Sequence, residues 1–182
     1  MVTAELFNRY PLFANLTQAQ RSQLASLAQS VQAQPGEALF REGNPADMLW
    51  LLLEGRVALY HNVRSEDVTS TRTLEAMNRL MEDGTDVPLL EGQSDVFKEY
   101  RVGEIVAPAV IGISVLVPPH RLTATARAIQ PSHLLTLNGV AVRELCQADP
   151  QLGYGVMGAI AQTAMARLHF ARQQLTELGR SA

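Results

Sequence analysis

The stretch from Pro35 to Tyr60, PGEALFREGNPADMLWLLLEGRVALY, constrains the fold more than any other part of the chain. Its apolar residues come in short runs: Ala38-Leu39-Phe40, then Met48 to Leu53, then Arg56 to Tyr60. The turns Glu42-Gly43-Asn44-Pro45 and Glu54-Gly55 separate them, and no run is long enough for a helix. Gly36, Gly43 and Gly55 stand where tight strand connections favour positive φ. Short strands punctuated in this way predict a roll or barrel.

The flanks differ in period. From Thr17 to Gln32, apolar Leu24, Leu27, Ala28 and Val31 recur at three- and four-residue spacing behind Thr17 as N-cap, which predicts an amphipathic helix ending before Pro35-Gly36. Arg64 to Glu99 is polar and reads as an insertion with a short helix whose apolar face is Leu74, Met77, Leu80 and Met81. Strand character resumes from Tyr100 to Ile129, broken at Pro108 and at Pro118-Pro119-His120-Arg121, and ends with Leu134 to Leu137. A helical tail follows over 139–182, with Pro150 at the entrance to its second helix.

In that last helix Met157, Ala161, Ala164, Leu168, Ala171, Leu175 and Leu178 alternate gaps of four and three. The heptad seam, with alanines that permit close approach, predicts a homodimer contact or a packing stripe against the roll. The two readings are compatible, because Val156, Ile160 and Met165 can face the roll.

The totals exclude several classes. One domain spanning 1–182 is expected for 182 residues of which 47% are hydrophobic. A net charge of −3 argues against general affinity for nucleic acid, which needs clustered cations. The single Cys146 rules out an intrachain disulfide framework or an all-cysteine metal site, and reads as a small buried apolar side chain. Met1 to Phe13 contains Glu5 and Arg9 and lacks the apolar core of a signal peptide, and the apolar run at Trp50 is too short to cross a bilayer. The expected location is cytoplasmic, with no membrane association. His61, His120, His133 and His169 are scattered without helical i, i+4 pairing, so no metal site is expected. The acidic group Glu82-Asp83, Asp86, Glu91 and Asp95 lacks calcium-loop spacing. Ser114 lacks a Gly-x-Ser-x-Gly elbow, and neither a Walker loop nor a dinucleotide fingerprint occurs, so the chain is not expected to be an enzyme.

The Pro35 to Tyr60 string resembles the signature of cyclic nucleotide-binding domains of the catabolite-activator and FNR superfamily. Leu12-Phe13-Ala14-Asn15-Leu16, Val102-Gly103-Glu104 and Thr123-Ala124-Thr125-Ala126-Arg127-Ala128 match further landmarks in family order. The resemblance implies a mainly β fold with flanking α, a double-stranded β-helix (jelly-roll) with one helix before it and helices after it. It also implies a cassette in which backbone N–H groups and an Arg hold a cyclic phosphate and a Glu accepts from the ribose hydroxyl.

The cassette departs from that pattern. Aligned on Gly103-Glu104, the ribose Glu falls on Pro108; aligned on Ile111-Gly112-Ile113-Ser114, it falls on Ile113. Either way the carboxylate is absent. Arg121 is the candidate phosphate cation, one residue off the family spacing, with Leu122 in the matched place and His120 beside it as a second cation at mildly acidic pH. The candidate ligand-binding set is Val110, Ile111, Gly112, Ile113, Ser114, Arg121, Thr123 and Ala124. The expected function is a non-catalytic sensor or regulatory module with weak or altered binding of a cyclic nucleotide, cyclic AMP or cyclic GMP, or of another small anion. The rival readings are a protein-interaction module that uses the roll as scaffold and presents the insertion, and the sensor fragment of a longer transcription regulator. Only Gly179 to Ala182 follow the seam, so no recognition helix and no direct DNA binding are expected of this chain.

Overall fold

The computed structural model describes residues 2–64 and 97–180. Eight strands form two four-stranded sheets in which every pairing is antiparallel, ordered β1-β8-β3-β6 and β2-β7-β4-β5. The strands are β1 (Ala28–Ala33), β2 (Ala38–Phe40), β3 (Met48–Glu54), β4 (Arg56–Arg64), β5 (Phe97–Val106), β6 (Ala109–Ile111), β7 (Thr125–Ala128) and β8 (Ser132–Asn138). Among the described residues, three α-helices flank them: α1 (Gln18–Leu27), α2 (Gly139–Ala148) and α3 (Pro150–Arg180). This is the expected jelly roll with helices before and after it.

Strand β3 organises the interior because both of its faces pack against apolar surroundings. Leu49, Leu51 and Leu53 point into a core shared with Phe7, Tyr10, Phe13, Leu24, Val142 and Leu152 of the helical layer. Trp50 and Leu52 point the other way, into the roll, with Val57, Ile111, Ala126 and Leu134. Alternation between two apolar surroundings explains the uninterrupted run Met48 to Leu53, where a half-exposed strand would alternate with polar residues. The hairpin from β3 to β4 turns at Gly55, whose φ is 102° and where a Cβ would lie 2.2 Å from Ser132 Oγ, so only glycine fits.

The helix expected from Thr17 to Gln32 starts as read and ends early. Thr17 and Gln20 form a reciprocal capping box at its start. After Leu27 the chain extends, and Ala28 to Ala33 pair residue for residue with Leu137 to Ser132. Val31 therefore lies on a strand. The six-residue ladder with β8 outweighs the helical spacing, and exposed Gln29 and Ser30 sit comfortably on an outer strand.

Residues 65–96 lie outside the described part, and with them the expected helix around Leu74 to Met81 and the acidic group. The ends of the polar stretch are strand: Arg64 pairs with Phe97, Val63 with Lys98 and Asn62 with Glu99, which lengthens the β4–β5 ladder beyond Tyr60 and Tyr100.

At the C-terminal side, Asn138 caps α2 through the Ala141 N–H. Asp149 caps α3 through the Gln151 and Leu152 N–H groups and also accepts from the Gln20 side chain, tying α1 to α3. Val156 and Ile160, read as able to face the roll, are buried in the core shared by β3 and the helical layer, while Met165 is 64% exposed. Met157, Ala161 and Met165 lie on other sides of α3 from Val156 and Ile160, and they meet solvent. Met157, Ala161, Ala164, Leu168 and Ala171 of the seam are exposed, while the side chains of Leu175 and Leu178 lie outside the described set. Among the described residues, no helix is long and apolar enough to cross a membrane.

Candidate functional site

A cavity of about 230 Å³ opens inside the roll. Its inner wall is Phe40 of β2, Leu59 of β4 and Ile111 of β6. Gly112, Ile113 and Ser114 form one side, where the chain leaves β6 for a single 3-10 turn over Ile113–Leu116. Gly112 makes that exit with φ at 75°, and a Cβ there would lie 3.0 Å from the Met48 carbonyl and 3.3 Å from Trp50. Leu122, Thr123 and Ala124 form the opposite side. The last wall comes from α3, through Ala164 and Arg167. Thr123 and Ala164 are exposed, so the cavity is open to water on their side.

Six of the eight residues singled out from the sequence line this space: Ile111, Gly112, Ile113, Ser114, Thr123 and Ala124. The other two do not. Val110 is turned into the helical core, as alternation on β6 requires once Ile111 faces the roll. Arg121 is exposed and donates from Nη1 to the Gly43 carbonyl at 2.8 Å, because its backbone bridges antiparallel to Pro45 on the turn outside the cavity. Its neighbour Leu122 takes the inward position, with 7% exposure. His120 is absent from the lining as well. Its φ is 55°, and its buried Nδ1 has no hydrogen-bond partner among the described residues.

Of the two positions on which the sequence comparison places the ribose acceptor, Ile113 lines the cavity and Pro108 does not, and Leu122, in the matched place of the phosphate cation, lines it too. The charge comes from elsewhere. Arg167 is the only ionisable residue among the described residues lining the cavity, and its Nη2 donates to the Val110 carbonyl at 2.7 Å. Burial lowers the pKa of its guanidinium below the ordinary arginine value. The ion pairs among the described residues are Arg56–Glu104, Arg101–Glu104, Arg127–Glu99 and His61–Glu42, and Arg167 is in none of them.

A second arginine acts close by without entering the cavity. Arg143 of α2 donates from Nη1 to the Val115 carbonyl at 2.6 Å. Residues 110 to 115 are therefore held at one end by α3 and at the other by α2. Cys146, on the same helix, is half-buried against the helical core, and burial and the nearby Asp149 raise its thiol pKa. Among the described residues, no group of three His, Cys, Asp or Glu is placed to hold a metal.

This roll, with its cavity against the C-terminal helix, is the fold of cyclic nucleotide-binding domains. A candidate cyclic nucleotide-binding protein from Geobacter metallireducens superposes with a TM-score of 0.68 and 28% identity, over 93% of this chain and 100% of that one. The catabolite activator protein of Thermus thermophilus superposes with a TM-score of 0.59 and 20% identity, over 93% of this chain and 63% of that one. In sequence, the chain is 26% identical over 152 residues to a candidate potassium channel protein from Rhodopseudomonas palustris. The match takes in 84% of this chain but only 29% of the length of that relative. No family model matches the chain.

Proposed function

We propose that the chain is a non-catalytic regulatory module in which a ligand in the roll cavity sets the position of α3. The observation that carries this reading is the shared wall: Ala164 and Arg167 belong to α3, the other lining residues to the roll or the segment leading from it. Filling the cavity, or drawing Arg167 off the Val110 carbonyl, changes how α3 sits on the roll. A ligand then biases two arrangements by its difference in affinity for them. The likeness to a potassium channel protein of which this chain matches only a part supports a module that reports to something else.

Cyclic nucleotides bind weakly or not at all on this reading. With Pro108 or Ile113 in the place of the ribose acceptor and Leu122 in that of the phosphate cation, two charge-assisted hydrogen-bonding sites are missing, each worth roughly 1.5–3 kcal/mol, so the loss in affinity is on the order of a hundredfold or more. Calorimetry with cyclic AMP, cyclic GMP and cyclic di-GMP tests this, and tight saturable binding of any of them would refute it.

The coupling is tested without a ligand by Ala124→Phe, which adds bulk from the roll side. Faster amide exchange in α3 around 160–168, with α1 and β1 unchanged, is expected. Unaltered exchange in α3 would remove the proposal. The exposed seam of Met157, Ala161, Ala164 and Leu168 supports pairing of α3 with its twin in a homodimer. Sedimentation velocity showing only monomer at tens of micromolar would end that part.

A further inference from the structure

The following inference rests on the cavity being a ligand site and names the chemistry of its occupant. We infer that the cavity takes a compact apolar monocarboxylate, a short branched or aromatic acid, with its carboxylate on Arg167.

Three observations carry it. The first is the wall. Phe40, Leu59, Ile111, Ile113 and Leu122 offer no polar side-chain atom, so the body of a ligand buried against them must be apolar to avoid stranding hydrogen-bonding groups. Among the described residues, Ser114 and Thr123 supply the only side-chain hydroxyls of the lining, and none supplies a side-chain carboxylate to accept from a sugar diol or a base amino group.

The second is the charge balance. Among the described residues, Arg167 carries the only formal charge in the lining and has no ion-pair partner. A partly buried guanidinium without a counter-ion is costly, and an anion relieves that cost. Its one described hydrogen bond, to the Val110 carbonyl, uses one of five N–H donors. The free fork suits a planar carboxylate, which it can hold by two parallel bonds. A phosphate monoester would bring nearly a second charge, and the other candidate cations do not reach: Arg121 is turned to Gly43 and His120 is outside the lining.

The third is size. The cavity, at about 230 Å³, is below the roughly 300–1,000 Å³ of pockets that enclose drug-sized ligands. That room favours an occupant smaller than a nucleotide.

Trp50 makes the test direct. It is the single tryptophan of the chain, its ring centroid is 6.4 Å from that of Phe40 in the cavity wall, and it lies beside Gly112. The full-length chain is titrated with benzoate, phenylacetate and 3-methylbutyrate, with phenylacetamide as the uncharged match and cyclic AMP as the nucleotide. Trp50 fluorescence and calorimetry are read together. Saturable binding of at least one carboxylate is expected, with the amide weaker by roughly tenfold or more, the loss expected for one charge-assisted pair. Arg167→Gln should weaken the acid by a similar factor and leave the amide unchanged. Arg167→Lys should lie between, since it keeps the charge and loses the fork. Arg143→Gln should not alter binding, because Arg143 holds the neighbouring carbonyl without lining the cavity. The comparison of acid with amide needs no variant, so a misfolded substitution does not blunt it.

Equal binding of acid and amide, or of acid to wild type and Arg167→Gln, overturns the inference. So does the lack of saturable carboxylate binding up to about 10 mM, a Kd worth less than 3 kcal/mol. In each case the coupling of cavity to α3 is judged separately by amide exchange in Ala124→Phe, so the ligand class can fail while the regulatory reading stands.

Discussion

Gly139 opens α2 directly against Val115 of the segment beside the cavity, and replacing it should expose how tightly the two are packed. A Cβ at Gly139 would lie 1.9 Å from Val115 Cγ2 and 3.0 Å from the Asp47 carbonyl. Gly139→Ala therefore forces α2 and the 3-10 turn apart, and overpacking of this kind costs about 1–3 kcal/mol. The better helix propensity of alanine returns at most about 1 kcal/mol, leaving a net loss of about 0–3 kcal/mol. Val115 is fully buried, and Val115→Ala removes two methyl groups at about 0.8 kcal/mol each plus a cavity term, about 2 kcal/mol in all. In the double variant the new methyl enters the space that the old ones left. Its loss should fall short of the sum of the single losses by about 1–2 kcal/mol, a coupling well outside that of independent sites. Urea unfolding of the four proteins, with m-values held constant, measures the cycle. Losses that add to within about 0.5 kcal/mol would refute the packing argument.

Two further predictions concern titratable groups. The Tyr10 hydroxyl is buried and donates to the Leu52 carbonyl at 2.9 Å, and burial pushes its pKa up to about 12. The unfolded phenol ionises near 10, so its contribution is intact below about pH 10 and falls by about 1.4 kcal/mol per pH unit as pH rises toward 12; Tyr10→Phe should flatten that alkaline limb of melting temperature against pH, and superimposable limbs would contradict the assignment. Asp149 behaves oppositely. Its hydrogen bonds from the Gln20 side chain and from the Leu152 and Gln151 N–H groups hold its carboxyl below the ordinary value of about 4. Its stabilisation is present above that value and is lost as pH falls through the lower native one. Asp149→Asn should lessen the acid loss of helical circular dichroism, and an unchanged acid transition would count against the cap.

Much of the fold was legible because its signals are local. The three strands between Ala38 and Tyr60 are each bounded by glycine or proline, and Gly55 has the positive φ that its place in a hairpin demands. The junction of α1 and β1 was not legible, since the residues that decide it are in β8, more than a hundred positions away in sequence. The cavity divides in the same way. Residues 111 to 114 and 123 to 124 follow from the order of strands around them. Arg167 does not, because what brings it to Val110 is the path of α3 across the roll, 57 residues later. One signal was available in retrospect: Arg167 lies three residues from Ala164, on the same helical face, in a stretch otherwise made of alanine, methionine and leucine. Arg121 misled for the converse reason, as strand alternation seats Leu122 in the wall and turns its neighbour outward.

Strand β3 has a consequence for how news of an occupied cavity would travel. Trp50 stands beside the cavity, and its sequence neighbours Leu49 and Leu51 sit among the side chains of the helical layer. Closely packed on its helical side, this partition acts as a stiff membrane between the cavity and the helical core. On the proposed reading, a push of a few tenths of an ångström on one side would be felt on the other, and α1 would hear the ligand through the partition as well as through α3.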